Sequence, residues 1–200
     1  MLVFGLTGPS GAGKSTVAEL FRSHGVPVLN ADEIYHRLLI PPSQCLNELT
    51  DTFGRQILAP DGTLNRSALA EIVFEDHGEL ERLNKIAHAH VLREAQRQLR
   101  VLRDSGHAAA VFDAPQLFES GANRSCNAVI SVLAEPNIRL HRILLRDGIS
   151  PEAAIKRMEA QKPDTFFRSH SDYIIENNSN PENLIPQVRR ILAETGVCEA

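Results

Sequence analysis

Residues 2–16 read L-V-F-G-L-T-G-P-S-G-A-G-K-S-T, and the reading of this stretch decides the fold. Gly8, Gly13, Lys14 and Ser15 satisfy G-x-x-x-x-G-K-[ST], the P-loop pattern. Its glycines let the backbone curl so that successive N–H groups converge on one anion. Leu2–Thr7 is short and apolar, which predicts a buried strand, and Val17, Leu20 and Phe21 recur at helical spacing between Ser15 and Ser23. Strand, glycine loop and helix therefore stand in the order a phosphate-binding turn requires. The positive end of the helix dipole adds to the attraction. Lys14 is expected to reach the β- and γ-phosphates of a nucleoside triphosphate, and the Ser15 hydroxyl to ligate Mg²⁺.

Outward from the loop, further strands are expected at 26–29, 108–112, 128–133 and 173–175, with helical segments between them. This alternation predicts an α/β fold with a five-stranded parallel sheet. Residues 30–107 are too many for a plain crossover between the second and third strands. Within them Leu80, Leu83, Ala87, Val91, Ala95, Leu99 and Leu102 recur at steps of three and four, the stripe of an amphipathic helix. Their number suggests an inserted helical subdomain. Farther on, Pro136 opens a helix through Arg146, and Ser150-Pro151-Glu152 starts another that closes at Lys162-Pro163. That helix–turn–helix has the size of a mobile lid.

Two hundred residues suffice for one domain with small insertions. The net charge of −4 does not favour nucleic acid as a partner. No apolar run approaches the ~20 residues that span a bilayer. The first residues lack a basic n-region, so a signal peptide is not expected. Cys45, Cys126 and Cys198 show neither C-x-x-C nor metal spacing, as expected for reduced thiols in the cytoplasm.

Several side chains have two readings. Asp32 closes the second strand, where it either orients an acceptor hydroxyl or caps the helix 33–39. Asp113, at the end of the third strand, either joins the Mg²⁺ shell or initiates the turn before Pro115. Arg139, Arg142 and Arg146 share one helix face, either a solvated edge or a source of phosphate contacts, and Lys156, Arg157, Lys162 and Arg168 keep the following segment basic. His88 and His90, at i and i+2, point apart on a helix and are not a metal pair.

Taken together the residues resemble the dephospho-CoA kinase family, a branch of the nucleoside-monophosphate-kinase-like P-loop proteins. The resemblance rests on G-L-T-G-P-S-G-A-G-K-S-T-V-A, N-A-D at 30–32, D-G-T-L-N-R at 61–66 and L-N-K-I-A-H at 83–88. It continues through A-P-Q-L-F-E at 114–119, the long run from Arg139 to Gln161, and D-Y-I-I-E-N-N at 172–178. It implies a three-layer α/β/α core at 1–58, 107–145 and 169–200, a helical acceptor-binding insertion at 59–106 and a lid at 146–168. It further implies transfer of the ATP γ-phosphoryl group to the 3′-hydroxyl of dephospho-CoA by a cytoplasmic protein; a monomer is favoured, and charge balance and hydropathy speak against nucleic-acid and membrane partners.

On this resemblance Gly8, Gly11, Ala12, Gly13, Lys14, Ser15, Thr16 and Arg142 would bind ATP, and Lys14, Asp32 and Arg142 would be catalytic. Asp32 becomes the general base, and Asp32, Arg66 and His88 would hold dephospho-CoA. Asn30, Ala89 and Gln116 depart from the family pattern, which has aspartate, proline and leucine there. Another small-molecule P-loop kinase and a nucleotide-dependent switch are the competing readings.

Overall fold

The structure, a computed structural model, describes residues 1–197, apart from the side chains of Glu75 and His77. Cys198 lies outside the described residues. In chain order the elements begin with β1 (Leu2–Thr7), α1 (Lys14–Ser23), β2 (Val28–Asn30), α2 (Ala31–Leu38), α3 (Gln44–Phe53), α4 (Arg66–Glu75) and α5 (His77–Asp104). They continue with β3 (Ala109–Asp113), β4 (Ala128–Leu133), α6 (Pro136–Asp147), α7 (Pro151–Glu159), α8 (Asp164–His170), β5 (Tyr173–Glu176) and α9 (Ile185–Glu194). Among the described residues the strands form one sheet in the order β2-β3-β1-β4-β5, all parallel.

The second strand begins two residues later than the apolar run V-P-V-L suggests. Val26 is buried, but its N–H closes the end of α1 on Phe21 O, and Pro27 has no N–H to give to a ladder. The Pro27 carbonyl instead accepts from Val111 N at 2.8 Å. A second difference concerns α2. It starts at Ala31, and its N-cap is Asn30, whose side chain accepts from Glu33 N at 3.0 Å. Asp32 is thus inside the first turn and is not the cap. The structure removes that alternative for Asp32.

Two compact units result, one of Met1–Leu29 with the chain from Leu102 onward, the other of Asn30–Val101. In the first, Phe4, Leu6, Ile130 and Val132 of the sheet are buried with Val17 and Phe21 of α1 and Val188 and Ile191 of α9. Burying each such side chain contributes about 1.5–3 kcal/mol. The second unit has its own core, in which Cys45, Leu49 and Phe53 of α3 meet Leu69 and Val73 of α4. It takes in α2 and α3 along with most of the stretch 59–106 expected as a helical insertion.

The region 146–168 carries more structure than its sequence announced. Ser150 caps α7 by accepting from Ala153 N, with Pro151 at the first helical position, as expected. α7 then ends at Glu159, two residues before the expected Gln161, and α8 opens after Pro163. Among the described residues no helix is long and apolar enough to cross a membrane.

Candidate active site

The P-loop is forced into its curl by contacts that leave no room for a side chain. Gly8 has φ +143°, and a Cβ there would stand 2.2 Å from Val132 O. Gly13 has φ +92°, and its Cβ would stand 2.1 Å from Asn177 Nδ2. Only glycine meets both the torsions and the approach. Parallel pairing of β1 with β3 sets Leu6 beside Asp113, which places the Asp113 carboxylate next to the start of the loop. Lys14 Nζ lies 3.1 Å from Asp113 Oδ1, and the carboxylate is 4% exposed. Ser15 and Thr16 follow in the first turn of α1.

Below the loop, the three arginines of α6 separate by burial. Arg139 is buried, Arg142 is half-buried and Arg146 is exposed. Arg142 Nη1 donates to the Gly11 and Ala12 carbonyls, both at 3.3 Å, and Nη2 donates to Asn177 O at 3.1 Å and Asn177 Oδ1 at 3.3 Å. Asn177 Nδ2 itself donates to Ala12 O at 2.8 Å. Arg142 therefore sits against the loop from α6, outside the expected lid.

Arg139 Nε donates to Ser10 O at 3.0 Å, and Nη2 to Gln161 Oε1 at 3.1 Å. The same Gln161 oxygen accepts from Ser10 N at 3.1 Å. Burial lowers the Arg139 pKa, an effect opposed by Asp164, whose Oδ1 is 3.5 Å from Nη1. Arg146 clamps Asp147 at 2.7 and 2.9 Å and reaches Ser10 Oγ at 3.3 Å. With Arg157 also bonded to it, the Asp147 carboxyl is held at about 2, chiefly by the Arg146 hydrogen bonds.

Asp32, Arg66 and His88 all belong to the unit Asn30–Val101. Asp32 is exposed on the first turn of α2, Arg66 is exposed at the first position of α4, and His88 is half-buried on α5. The segment D-G-T-L-N-R forms a turn that launches α4. Asp61 Oδ1 accepts from Thr63 N and Oγ1 at 3.0 and 2.6 Å, and Asn65 Oδ1 caps α4 through Ala68 N at 3.2 Å. Tyr35 is pushed up to about 12 by burial, with Cys45 adding to the rise and the Arg66 charge opposing it. His90 is buried, its Nε2 2.7 Å from Glu48 Oε2. No group of three or more His, Cys, Asp or Glu among the described residues is arranged to hold a metal.

Sequence reasoning did not single out Asn177 or Gln161. Both lie inside quoted segments, but an amide side chain carries no periodicity or charge signal of its own. Only the turn after β5 and the early end of α7 bring them to the loop.

A parallel sheet with a phosphate loop between β1 and α1, and a lysine–aspartate pair behind it, defines a P-loop kinase-like nucleotide-binding protein. Within that class, residues 2–183 match the family model described as dephospho-CoA kinase. A dephospho-CoA kinase of Syntrophotalea carbinolica is 38% identical over 193 residues, 96% of this chain and 92% of that protein. Among solved structures, TT1252 from Thermus thermophilus is 33% identical with TM-score 0.82, covering 96% of this chain and 97% of the other. A dephospho-CoA kinase from Campylobacter jejuni is 27% identical with TM-score 0.71, covering 96% of each chain. The chain belongs to the dephospho-CoA kinase family.

Proposed function

We propose that the protein transfers the γ-phosphoryl group of ATP to the ribose 3′-hydroxyl of dephospho-CoA, giving CoA and ADP. The observation that carries this reading is family membership over residues 2–183, laid on a P-loop whose Lys14 is already positioned behind the glycine turn. The backbone N–H groups from Gly11 to Thr16 bind the phosphates, and Lys14 leaves Asp113 to neutralise the β- and γ-oxygens. Arg142 keeps the loop in shape through Gly11 and Ala12, so its dipoles need no reorganisation as charge spreads in the transition state.

Asp32 orients the 3′-hydroxyl and takes its proton as the oxygen–phosphorus bond forms and the bond to the β–γ bridging oxygen breaks. A loose transition state demands little proton removal beforehand, so positioning is its main contribution. Arg66 and His88 hold dephospho-CoA. The Ser15 hydroxyl, a hard oxygen donor of the kind Mg²⁺ accepts, would hold the ion, with the Asp113 carboxylate in its outer coordination sphere. When bound, Mg²⁺ supplies positive charge at the phosphate oxygens. Division of the chain into core (1–58, 107–145, 169–200), acceptor insertion (59–106) and lid (146–168) is part of this reading. So is a monomer acting in the cytoplasm.

Coupled ADP release with Mg-ATP, comparing dephospho-CoA, adenosine, AMP and no acceptor, tests the proposal. Turnover with dephospho-CoA alone, with a product one phosphate heavier that matches CoA, is expected. Preference for another acceptor would keep the phosphoryl chemistry and overturn the substrate.

A further inference from the structure

The Ser10 peptide is gripped on both sides by side chains that come from outside the P-loop. Its N–H donates to Gln161 Oε1, its carbonyl accepts from Arg139 Nε, and Arg139 Nη2 closes the ring by donating to the same Gln161 oxygen. Asp164, at the first position of α8, faces Nη1 of this buried arginine. Gln161, in the turn before the seven-residue α8, holds the loop directly, while Arg139 of α6 bridges the Ser10 carbonyl to that turn and to Asp164 of α8. α8 has a separate hold through rings on Phe118, which Phe166 meets edge-on at 5.1 Å and His170 edge-on at 6.0 Å. The turn at Gln161 is thus the place where the phosphate loop and the α7–α8 segment share hydrogen bonds.

We propose that Gln161 is a positioning residue which, with Arg139 and Asp164, couples the Ser10 peptide to the α7–α8 segment, so that filling the loop with ATP steadies that segment. The inference rests on the reading of Gly8–Thr16 as the ATP site. The physical cause is the shared acceptor. Gln161 Oε1 satisfies a loop N–H and a buried guanidinium at once, so neither partner moves without releasing the other. A triphosphate that fixes the loop's N–H groups thereby fixes Ser10, and through it residues 160–165.

The test is Gln161→Met, which keeps length and volume but has no comparable acceptor, set beside Gln161→Glu, which keeps the oxygen. Steady-state kinetics should show a KM for ATP raised about tenfold in Gln161→Met, which loses the hydrogen bond from Ser10 N and the charge-assisted one from Arg139, with kcat within about threefold. Gln161→Glu should restore the original KM. Hydrogen exchange of residues 160–170 should slow on adding ATP in the unaltered chain and in Gln161→Glu, but not in Gln161→Met. If Gln161→Met does not fold, Asp164→Asn gives the same split in milder form. Unchanged KM together with intact ATP protection in folded Gln161→Met would overturn the coupling. An unaltered chain that binds no ATP would instead overturn the nucleotide-site reading, and the coupling with it.

Discussion

Around the P-loop, side chains hold backbone atoms. Asn177 and Arg142 bind Ala12 O, Arg142 also binds Gly11 O, and Arg139 and Gln161 take the two ends of the Ser10 peptide. In Asn30–Val101 the arrangement is reversed. There the helices are held by apolar packing of Leu49, Phe53, Leu69 and Val73, while Asp32 and Arg66 stand exposed on first turns. A site that stabilises spreading phosphate charge needs fixed dipoles, because a dipole that must reorient during the reaction gives back part of its effect. Side chains such as Asp32 and Arg66, proposed to meet a large, flexible acceptor, would need only a firm helix beneath them. The same chain builds rigidity with hydrogen bonds in one place and with hydrophobic area in the other.

The largest effect that would break this comparison is at Asp32. Asp32→Asn should lower kcat by roughly 10²–10⁴, the range for losing a positioned base, with the KM for ATP little changed. Its thermal midpoint should fall only slightly, because Asn30 and not Asp32 caps α2 and only the interaction of a first-turn carboxylate with the helix dipole is lost. Near-normal turnover would return Asp32 to an ordinary exposed helix residue.

Smaller effects should appear in stability. Asn177→Leu strips Ala12 O and Arg142 of a buried partner and should cost about 1–3 kcal/mol. Asn30→Ala should cost about 1 kcal/mol as a lost cap, and Asn30→Asp much less. Thermal unfolding with and without ATP separates them, since only Asn177→Leu should also weaken the nucleotide's stabilising effect. Equal ATP responses would mean that the loop keeps its shape without Asn177.

How far the molecule could be read from its sequence follows the same division. The glycine loop, β1, β4 and the Ser150-Pro151 start of α7 were legible because each rests on local chemistry: a short apolar run, a required torsion or a cap. Asn30 as cap was missed because Asp32, two residues on, suits that role equally well in sequence. The order of burial along Arg139, Arg142 and Arg146 was closed to inspection, since helical spacing gives a shared face but not which turn of it meets the loop. Asn177 and Gln161 act at a distance in sequence of 165 and 151 residues from their loop partners, and no local pattern encodes that. α8 was hidden by the Lys162-Pro163 stop, which ends one helix and equally well precedes the next.

The smallest expected effect sets one carboxylate of each region against the other. Hydrogen bonds from Arg97 hold Glu94 at about 2, and those from Arg146 hold Asp147 at about 2. A carboxyl whose folded value is depressed adds stability above its ordinary range and loses it as pH falls through the folded value. Both contributions should therefore be complete above about pH 4–5 and be lost progressively toward pH 2. Solvent screening keeps them small, so Glu94→Gln and Asp147→Asn should each only slightly flatten the acid fall in thermal midpoint. What differs is the consequence at neutral pH. Glu94 pairs within α5, whereas Asp147 holds the arginine that reaches Ser10 Oγ. Asp147→Asn should thus raise the KM for ATP by a few fold at neutral pH, and Glu94→Gln should leave it unchanged. Identical kinetics in the two variants would show that Arg146 gives the loop no support, leaving the hold on Ser10 to Arg139 and Gln161.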